Sequence, residues 1–321
     1  MKIESMAMTN VGRVRRNNED NFFVCGKYKE SPETNDLEYH YCAAADEQLF
    51  GVCDGMGGIQ LGELASLIAV ETMAEYASGF DGKVDACIQD ANARICGEIT
   101  KRGVSRIGTT FAALSVKDCI SRAYNIGDSR IYLHRSGVLT QLSVDHTQAQ
   151  MLLDQGIITP EQALTHRDRH VLTQHLGIFP EEMVVEPHCA EPVELAEGDI
   201  FLLCSDGLTD MLSDDEICAV LSGETTLEVK AHALINAALA NGGKDNVTVV
   251  LVGTAETEPD YEGIESKIRA NLNIENSKAK ESLIAELMKK MREKLGEIEL
   301  WICHITKNMS LFSGNGKSSE R

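Results

Sequence analysis

The sequence predicts an α+β fold in four layers: an α-β-β-α sandwich of two antiparallel sheets flanked by helix pairs, with a helical tail at the C-terminus. Three observations predict it. Apolar residues at helical spacing occur in two pairs of segments, one early (60–78 and 81–102) and one late (214–221 and 227–240). Between the pairs, short strands follow one another through turns as tight as Lys117-Asp118 and Ser136-Gly137, and strands linked so closely are antiparallel. No helix separates those strands, which argues against a doubly wound parallel sheet.

Composition sets the outer bounds. The 321 residues are 43% hydrophobic, enough for one large core or two ordinary ones. A formal net charge of −20 opposes general affinity for nucleic acid or an anionic membrane surface. The 10 cysteines are scattered without Cys-x-x-Cys pairs, several inside apolar strands where the thiol acts as a small hydrophobe; reduced thiols and a cytoplasmic location are expected. The first residues carry no apolar leader core, and no stretch has the length of a membrane span.

In chain order, residues 1–58 read as strands divided by polar turns, with a loop between Glu30 and Asp36. Arg13, Arg15 and Arg16 stand shortly before Glu19-Asp20, so one guanidinium could grip an anion while the acids hold metal ions nearby. A solvated basic turn beside an acidic one is the alternative. Leu49 to Cys53 is an uncharged apolar strand, and it runs into Asp54-Gly55-Met56-Gly57-Gly58. A carboxylate where a buried strand ends is costly unless something positive faces it. A divalent metal would do so, with the Gly55 carbonyl as a further hard oxygen ligand; the plain reading is a strand-to-helix turn with Asp54 as a cap. What favours the metal is recurrence. The strands ending at Ile126 and Cys204 run into Asp128 and Asp206, while Asp245 and Asp20 stand just before strands that begin near Val247 and Asn21. Carboxylates without a matching run of Cys and His suit oxygen-loving Mg²⁺ or Mn²⁺, and several of them favour a site for more than one ion.

The helices expected at 60–78 and 81–102 must cover a sheet made of strands at 108–116, 120–126, 130–135 and 138–142. Residues 145–182 break the pattern as a polar flap, with a short helix that ends at Gln155 and an irregular stretch after it, and contain His146, His166, His170 and His175. The spacing of these histidines matches no zinc signature, so solvated or locally capped imidazoles are expected. Strands resume at 183–188 and 199–204, ahead of the late helix pair and a final strand. Layers in this order put the acids at strand ends, between the two sheets.

Taken together, Arg15 with Glu19-Asp20, Val52 to Gly58, Gly108-Thr109-Thr110, Asn125 to Arg130, Asp145-His146, Cys204 to Leu208 and Asp245-Asn246 resemble the metal-dependent type 2C (PPM) Ser/Thr protein phosphatases in their bacterial form. The resemblance covers about residues 1–254. It implies hydrolysis of phosphoserine and phosphothreonine in proteins, in opposition to a bacterial Ser/Thr kinase, by a hydroxide that bridges two of two or three Mn²⁺ or Mg²⁺ ions. It also implies the roles. Asp54 would bridge the central ions, with the Gly55 carbonyl on one and Asp206 and Asp245 on the other. Asp20 would act through metal-bound water beside Glu19, Asp128 and Asp206 would hold a third ion with Asp210 as an addition, and Arg15 would bind phosphate. The catalytic set is thus Arg15, Asp54 and Asp206. Eukaryotic members carry His where this chain has Met56, which leaves the leaving-group acid unassigned; a metal-bound water, His146 or His166 are candidates. In the flap, His170 stands where the family usually has Asn.

Beyond the phosphatase-like domain at 1–254, residues 255–275 read as an acidic linker, 276–312 as an amphipathic helix and 313–321 as a disordered tail. Ile284, Met288, Met291, Leu295, Ile298, Ile302, Ile305, Met309 and Phe312 mark a heptad seam. A coiled coil with itself or a partner, docking on the catalytic domain, and membrane contact near Trp301 are the alternatives. One other function class stays open: a non-catalytic signalling module that binds phosphopeptide and recruits a partner through this helix. Metal content separates the two, since a binding module need hold no ions.

Overall fold

The computed structural model describes residues 2–43, 47–57 and 61–255; the linker, amphipathic segment and tail expected beyond them lie outside the described residues. The chain begins with strands β1 (Lys2–Asn10), β2 (Asn21–Val24), β3 (Lys27–Tyr28), β4 (Leu37–Ala43), β5 (Glu47–Cys53) and β6 (Gly55–Gly57). Helices α1 (Gly62–Tyr76) and α2 (Val84–Arg102) follow, then β7 (Ile107–Thr109), β8 (Phe111–Lys117), β9 (Ile120–Ile126), β10 (Arg130–Arg135) and β11 (Val138–Gln141). After α3 (Gln148–Asp154) and α4 (Pro160–Leu164) come β12 (His188–Cys189), β13 (Val193–Glu194), β14 (Ile200–Cys204), α5 (Asp206–Thr209), α6 (Asp214–Leu221), α7 (Leu227–Ala240) and β15 (Val247–Ala255).

Two antiparallel sheets result. One runs β11-β10-β14-β15-β1-β4, the other β12-β9-β8-β5-β2-β3 with β13 also on β9. Period-2 alternation explains the layering. Phe22, Phe50, Leu203 and Val250 point between the sheets; Phe23 and Leu49 meet α1 and α2, while Leu202 and Leu251 meet the α7 side. Strands buried on both faces must be apolar at every position, which is why β5 and β14 carry no charge between Gln48 and Cys53 or between Ile200 and Cys204. The four-layer sandwich expected from the sequence is the fold observed.

Several local expectations change. Residues 107–117 form two strands in different sheets, because Thr110 turns the chain. Its hydroxyl accepts the Asp54 N–H at 2.8 Å, and its own N–H donates to the Asp54 carbonyl at 2.9 Å. Gly55–Gly57 is a strand paired with β7 rather than a turn directly into a helix. Residues 80–82 are a separate 3₁₀ turn, so the second helix begins at Val84. The strand expected at 183–188 shrinks to His188–Cys189, as Pro187 has no N–H to donate to a ladder. Within residues 145–182 the short helix expected to end at Gln155 is present as α3, and a second, α4, stands in the stretch read as irregular; each is N-capped by a threonine, Thr147 and Thr159.

Candidate metal centre

Strand register gathers the acids. Asn21 pairs with Cys53, so Asp20 and Asp54, one residue beyond each, arrive at the same edge. Cys204 pairs with Val249, which brings Asp206 to the end of the sheet where Asp245 enters β15. Asp54, Asp128, Asp206 and Asp245 then line one cleft of about 430 Å³, together with Arg15, Glu19 and Gly55. Asp20 sits behind it, fully buried, with Oδ2 accepting the Ser205 and Thr248 hydroxyls at 2.7 Å each and Oδ1 without a partner.

Gathering so many carboxylates has an electrostatic cost that appears in their proton affinities. Burial first, then repulsion from Asp20, Asp206, Asp128 and Asp245, drives the Asp54 carboxyl well above its ordinary value. Asp206 is raised likewise by burial and then by Asp128, Asp245 and Asp210. Burial and the neighbouring Asp145 lift Asp128 to about 7. Glu19 also reaches about 7, through burial and the adjacent Glu63. Asp20 is raised mainly by burial, against which its two hydroxyl donors act.

A hard divalent cation fits this donor set. The ligands are oxygens, the raised carboxyls lack compensating charge, and one buried carboxylate oxygen has no hydrogen-bond partner. The backbone beside Asp54 is packed too closely for any side chain. A Cβ on Gly55 would stand 2.2 Å from the Gly62 carbonyl oxygen and 2.4 Å from that of Glu19.

Arg15 reaches the cleft from the β1–β2 loop, where its guanidinium donates to Asp245 Oδ2 at 2.6 Å with its side chain about half exposed (53%). Three hydrogen bonds from Asn246 hold that loop. Its Oδ1 accepts the Glu19 N–H at 2.8 Å, and its amide donates to the carbonyls of Val11 at 2.9 Å and Asn17 at 3.0 Å. In the sequence Asn246 stands out only as the neighbour of Asp245. Ser205, Thr248 and Thr110 were missed as supports of Asp20 and Asp54; polar residues inside apolar strands were the available signal. The proton-donor candidates of the flap lie elsewhere. His146 is lowered by burial and its Nδ1 accepts the Gly127 N–H at 3.4 Å, His166 Nδ1 accepts the Asp168 N–H at 3.2 Å, and neither lines the cleft. His170 does line it, 3.8 Å from Asp206 through Nδ1.

A family model described as Protein phosphatase 2C matches residues 31–241. The chain belongs to that family of protein phosphatases. Its similarities are to bacterial Ser/Thr phosphatases. It is 33% identical over 288 residues to the serine/threonine protein phosphatase PstP of Mycobacterium tuberculosis, across 85% of this chain and 50% of the relative, so the chain spans half of that protein's length. With the serine/threonine phosphatase stp of Listeria monocytogenes serotype 4b it shares 33% identity over 254 residues, 76% of this chain and 93% of the relative. The catalytic domain of PstP in complex with two manganese ions superposes with a TM-score of 0.64 at 32% identity, covering 80% of this chain and all of that one (100%).

Proposed function

We propose that this chain hydrolyses phosphoserine and phosphothreonine in proteins with two or three Mn²⁺ or Mg²⁺ ions, that it opposes a Ser/Thr kinase, and that residues 1–254 form the catalytic unit. The observation that carries the reading is the convergence of Asp54, Asp128, Asp206 and Asp245 on one cleft where their charges repel without compensation. The two manganese ions of the related PstP domain support the same choice of metal. In this reading Asp54, the Gly55 carbonyl, Asp206 and Asp245 hold the central ions, Asp20 orients water beside them, and Asp128 and Asp206 hold a third.

Divalent cations bound there lower the pKa of water far enough to supply hydroxide near neutral pH and offset the charge that grows on a transferring phosphoryl group. The protein's residues do the rest. Arg15 offers a planar pair of donors to the phosphoryl oxygens. Its present pairing with Asp245 is largely exposed and therefore weak, so the guanidinium can leave it for a phosphate. Ser205 and Thr248 hold one oxygen of Asp20 in a fixed direction and leave the other free for water. Met56 and Leu172 add apolar wall to the cleft, so a phosphoryl group entering it loses part of its hydration.

The experiment is hydrolysis of a small phosphate monoester and of a phosphothreonine peptide, with Mn²⁺ or EDTA, by wild type and Asp206→Asn. Manganese-dependent turnover lost in the variant is expected. Wild type that is inert with its metal sites filled would leave phosphopeptide binding as the function.

A further inference from the structure

Linear spacing places no flap histidine on a metal, since it fits no ligand signature. Folded, one of them joins the acids. Asp128, His170 and Asp206 each offer a donor atom, and the three atoms lie within 4.8 Å of one another. Ligands about 2.1 Å from a small divalent ion stand at most about 4.2 Å apart, so the trio lies within about 0.6 Å of chelating distance. His170 Nδ1 and Asp206 Oδ2, at 3.8 Å, are already inside that span.

A second observation lies on the other side of the ring. His170 Nε2 is 3.4 Å from Asp210 Oδ2, and the other oxygen of Asp210 is 3.9 Å from the Arg169 guanidinium. A carboxylate behind an imidazole is the usual partner of a metal-ligating histidine: it accepts the N–H of the far nitrogen, which fixes the tautomer, leaves the near nitrogen bare and makes it more basic. The backbone around His170 is anchored as well. Gln148 N–H donates to the Val171 carbonyl at 2.9 Å, Thr173 N–H to the His146 carbonyl at 2.8 Å, and His146 N–H to the Gly127 carbonyl at 2.9 Å, next to Asp128. The ring is thus tied to the turn that carries one of the acids it faces.

We propose that His170 supplies a nitrogen ligand to the third-ion position already assigned to Asp128 and Asp206, which makes it a mixed oxygen and nitrogen site, with Asp210 as the support behind the imidazole. The site deepens the phosphatase reading and rests on it. Its nitrogen ligand sets its selectivity: imidazole suits transition-metal ions and is a poor donor for Mg²⁺, while Mn²⁺ is met by the two carboxylates and accepts the imidazole as a third ligand. The three ligands come from the β9–β10 turn, the flap and the start of α5, an arrangement that linear spacing cannot reveal.

The test is pulsed electron paramagnetic resonance on the Mn²⁺-loaded full chain, joined to equilibrium dialysis with Mn²⁺ and with Mg²⁺, for wild type, His170→Asn and His170→Ala. The His170 side chain is about two-fifths exposed (41%), so both variants are expected to fold, which their thermal melts check. Wild type is expected to show nitrogen hyperfine coupling to manganese that both variants lose. The weakest class of Mn²⁺ site in His170→Ala is expected to lose at least about tenfold in affinity, while Mg²⁺ binding hardly changes. Coupling absent from wild type, or surviving in His170→Ala, would overturn the site. Tight Mn²⁺ binding without nitrogen coupling overturns this proposal alone, whereas no tight Mn²⁺ binding at all overturns the metal reading of the whole cleft.

Discussion

Metal-free protein carrying Asp128→Asn is expected to be more stable than wild type near pH 8, and the same change is expected to remove part of the stabilisation that Mn²⁺ confers. Burial, followed by repulsion from Asp145, raises the Asp128 carboxyl from 3.8 to about 7. For an acid, a raised folded-state value means that the folded protein keeps a proton which the unfolded chain releases. Stability therefore falls as pH rises through the window from about 4 to about 7, and the loss is complete above it. The rise corresponds to a ceiling of about 4 kcal/mol. Local relaxation of the β9–β10 turn and entry of water reduce this to about 2 kcal/mol, or roughly 4–8 °C in Tm for a domain of this size. Asn has nearly the same shape and no charge, so it escapes the penalty. The assay is thermal unfolding in EDTA, where the gain should shrink as pH falls through the window below about 7 and vanish near pH 4. In Mn²⁺ the order should reverse, because bound ion stabilises only the form that holds it. A variant that melts at or below wild type in EDTA near pH 8 would refute the picture of carboxylates held against their mutual repulsion.

Other substitutions probe the supports. Asn246→Ala removes three hydrogen bonds from a side chain only 4% exposed and leaves the Glu19 N–H short of a partner, a loss of about 2–4 kcal/mol. Thermal melts should show Tm lower by about 5–10 °C, and steady-state kinetics a raised KM, because the loop it pins carries Arg15. Arg15→Lys keeps the charge but loses the donor fork, so kcat/KM for a phosphate monoester should fall about tenfold or more with Tm unchanged. A parallel fall in Tm would instead mark Arg15 as a structural residue.

Elements whose signal is local were legible in the sequence. Asp214–Leu221 and Leu227–Ala240 form helices at the residues their apolar periodicity marks, and Ser213 caps the first with a reciprocal bond from Glu216. The acids at strand ends were legible too, since Asp interrupts an apolar run wherever it occurs. What was not legible depends on chain pairing. Nothing local separates β7 from β8; the break at Thr110 exists because Asp54, far away in sequence, accepts its N–H and donates to its hydroxyl. The clamp at Asn246 bonds residues near the opposite end of the domain, and His170 meets Asp128 and Asp206 only through the flap's path. Of the two helices inside 145–182, α3 ends where the sequence expects, with its C-cap at Gln155, whereas α4 spans only 5 residues, too short for an apolar stripe to show.

Charge explains why cations matter for binding as well as for chemistry. The whole chain carries a formal −20, and Arg15 is the one Arg or Lys among the described residues that line the cleft, facing Glu19, Asp54, Asp128, Asp206, Asp210 and Asp245. A phosphomonoester dianion brought to such a surface is repelled both at long range and at contact. A single guanidinium, itself ion-paired to Asp245, does not reverse that sign. Two or three divalent ions add four to six positive charges at the one place where the acids converge, and turn the cleft from repulsive to attractive. Metal removal is therefore expected to abolish binding of phosphopeptide as well as its hydrolysis. Calorimetric titration of wild type with a non-hydrolysable phosphonate analogue of a phosphothreonine peptide, in EDTA and in Mn²⁺, separates the effects. Equal peptide affinity in both media would mean that the cleft recognises phosphate without its ions, and that the acids serve the chemical step alone.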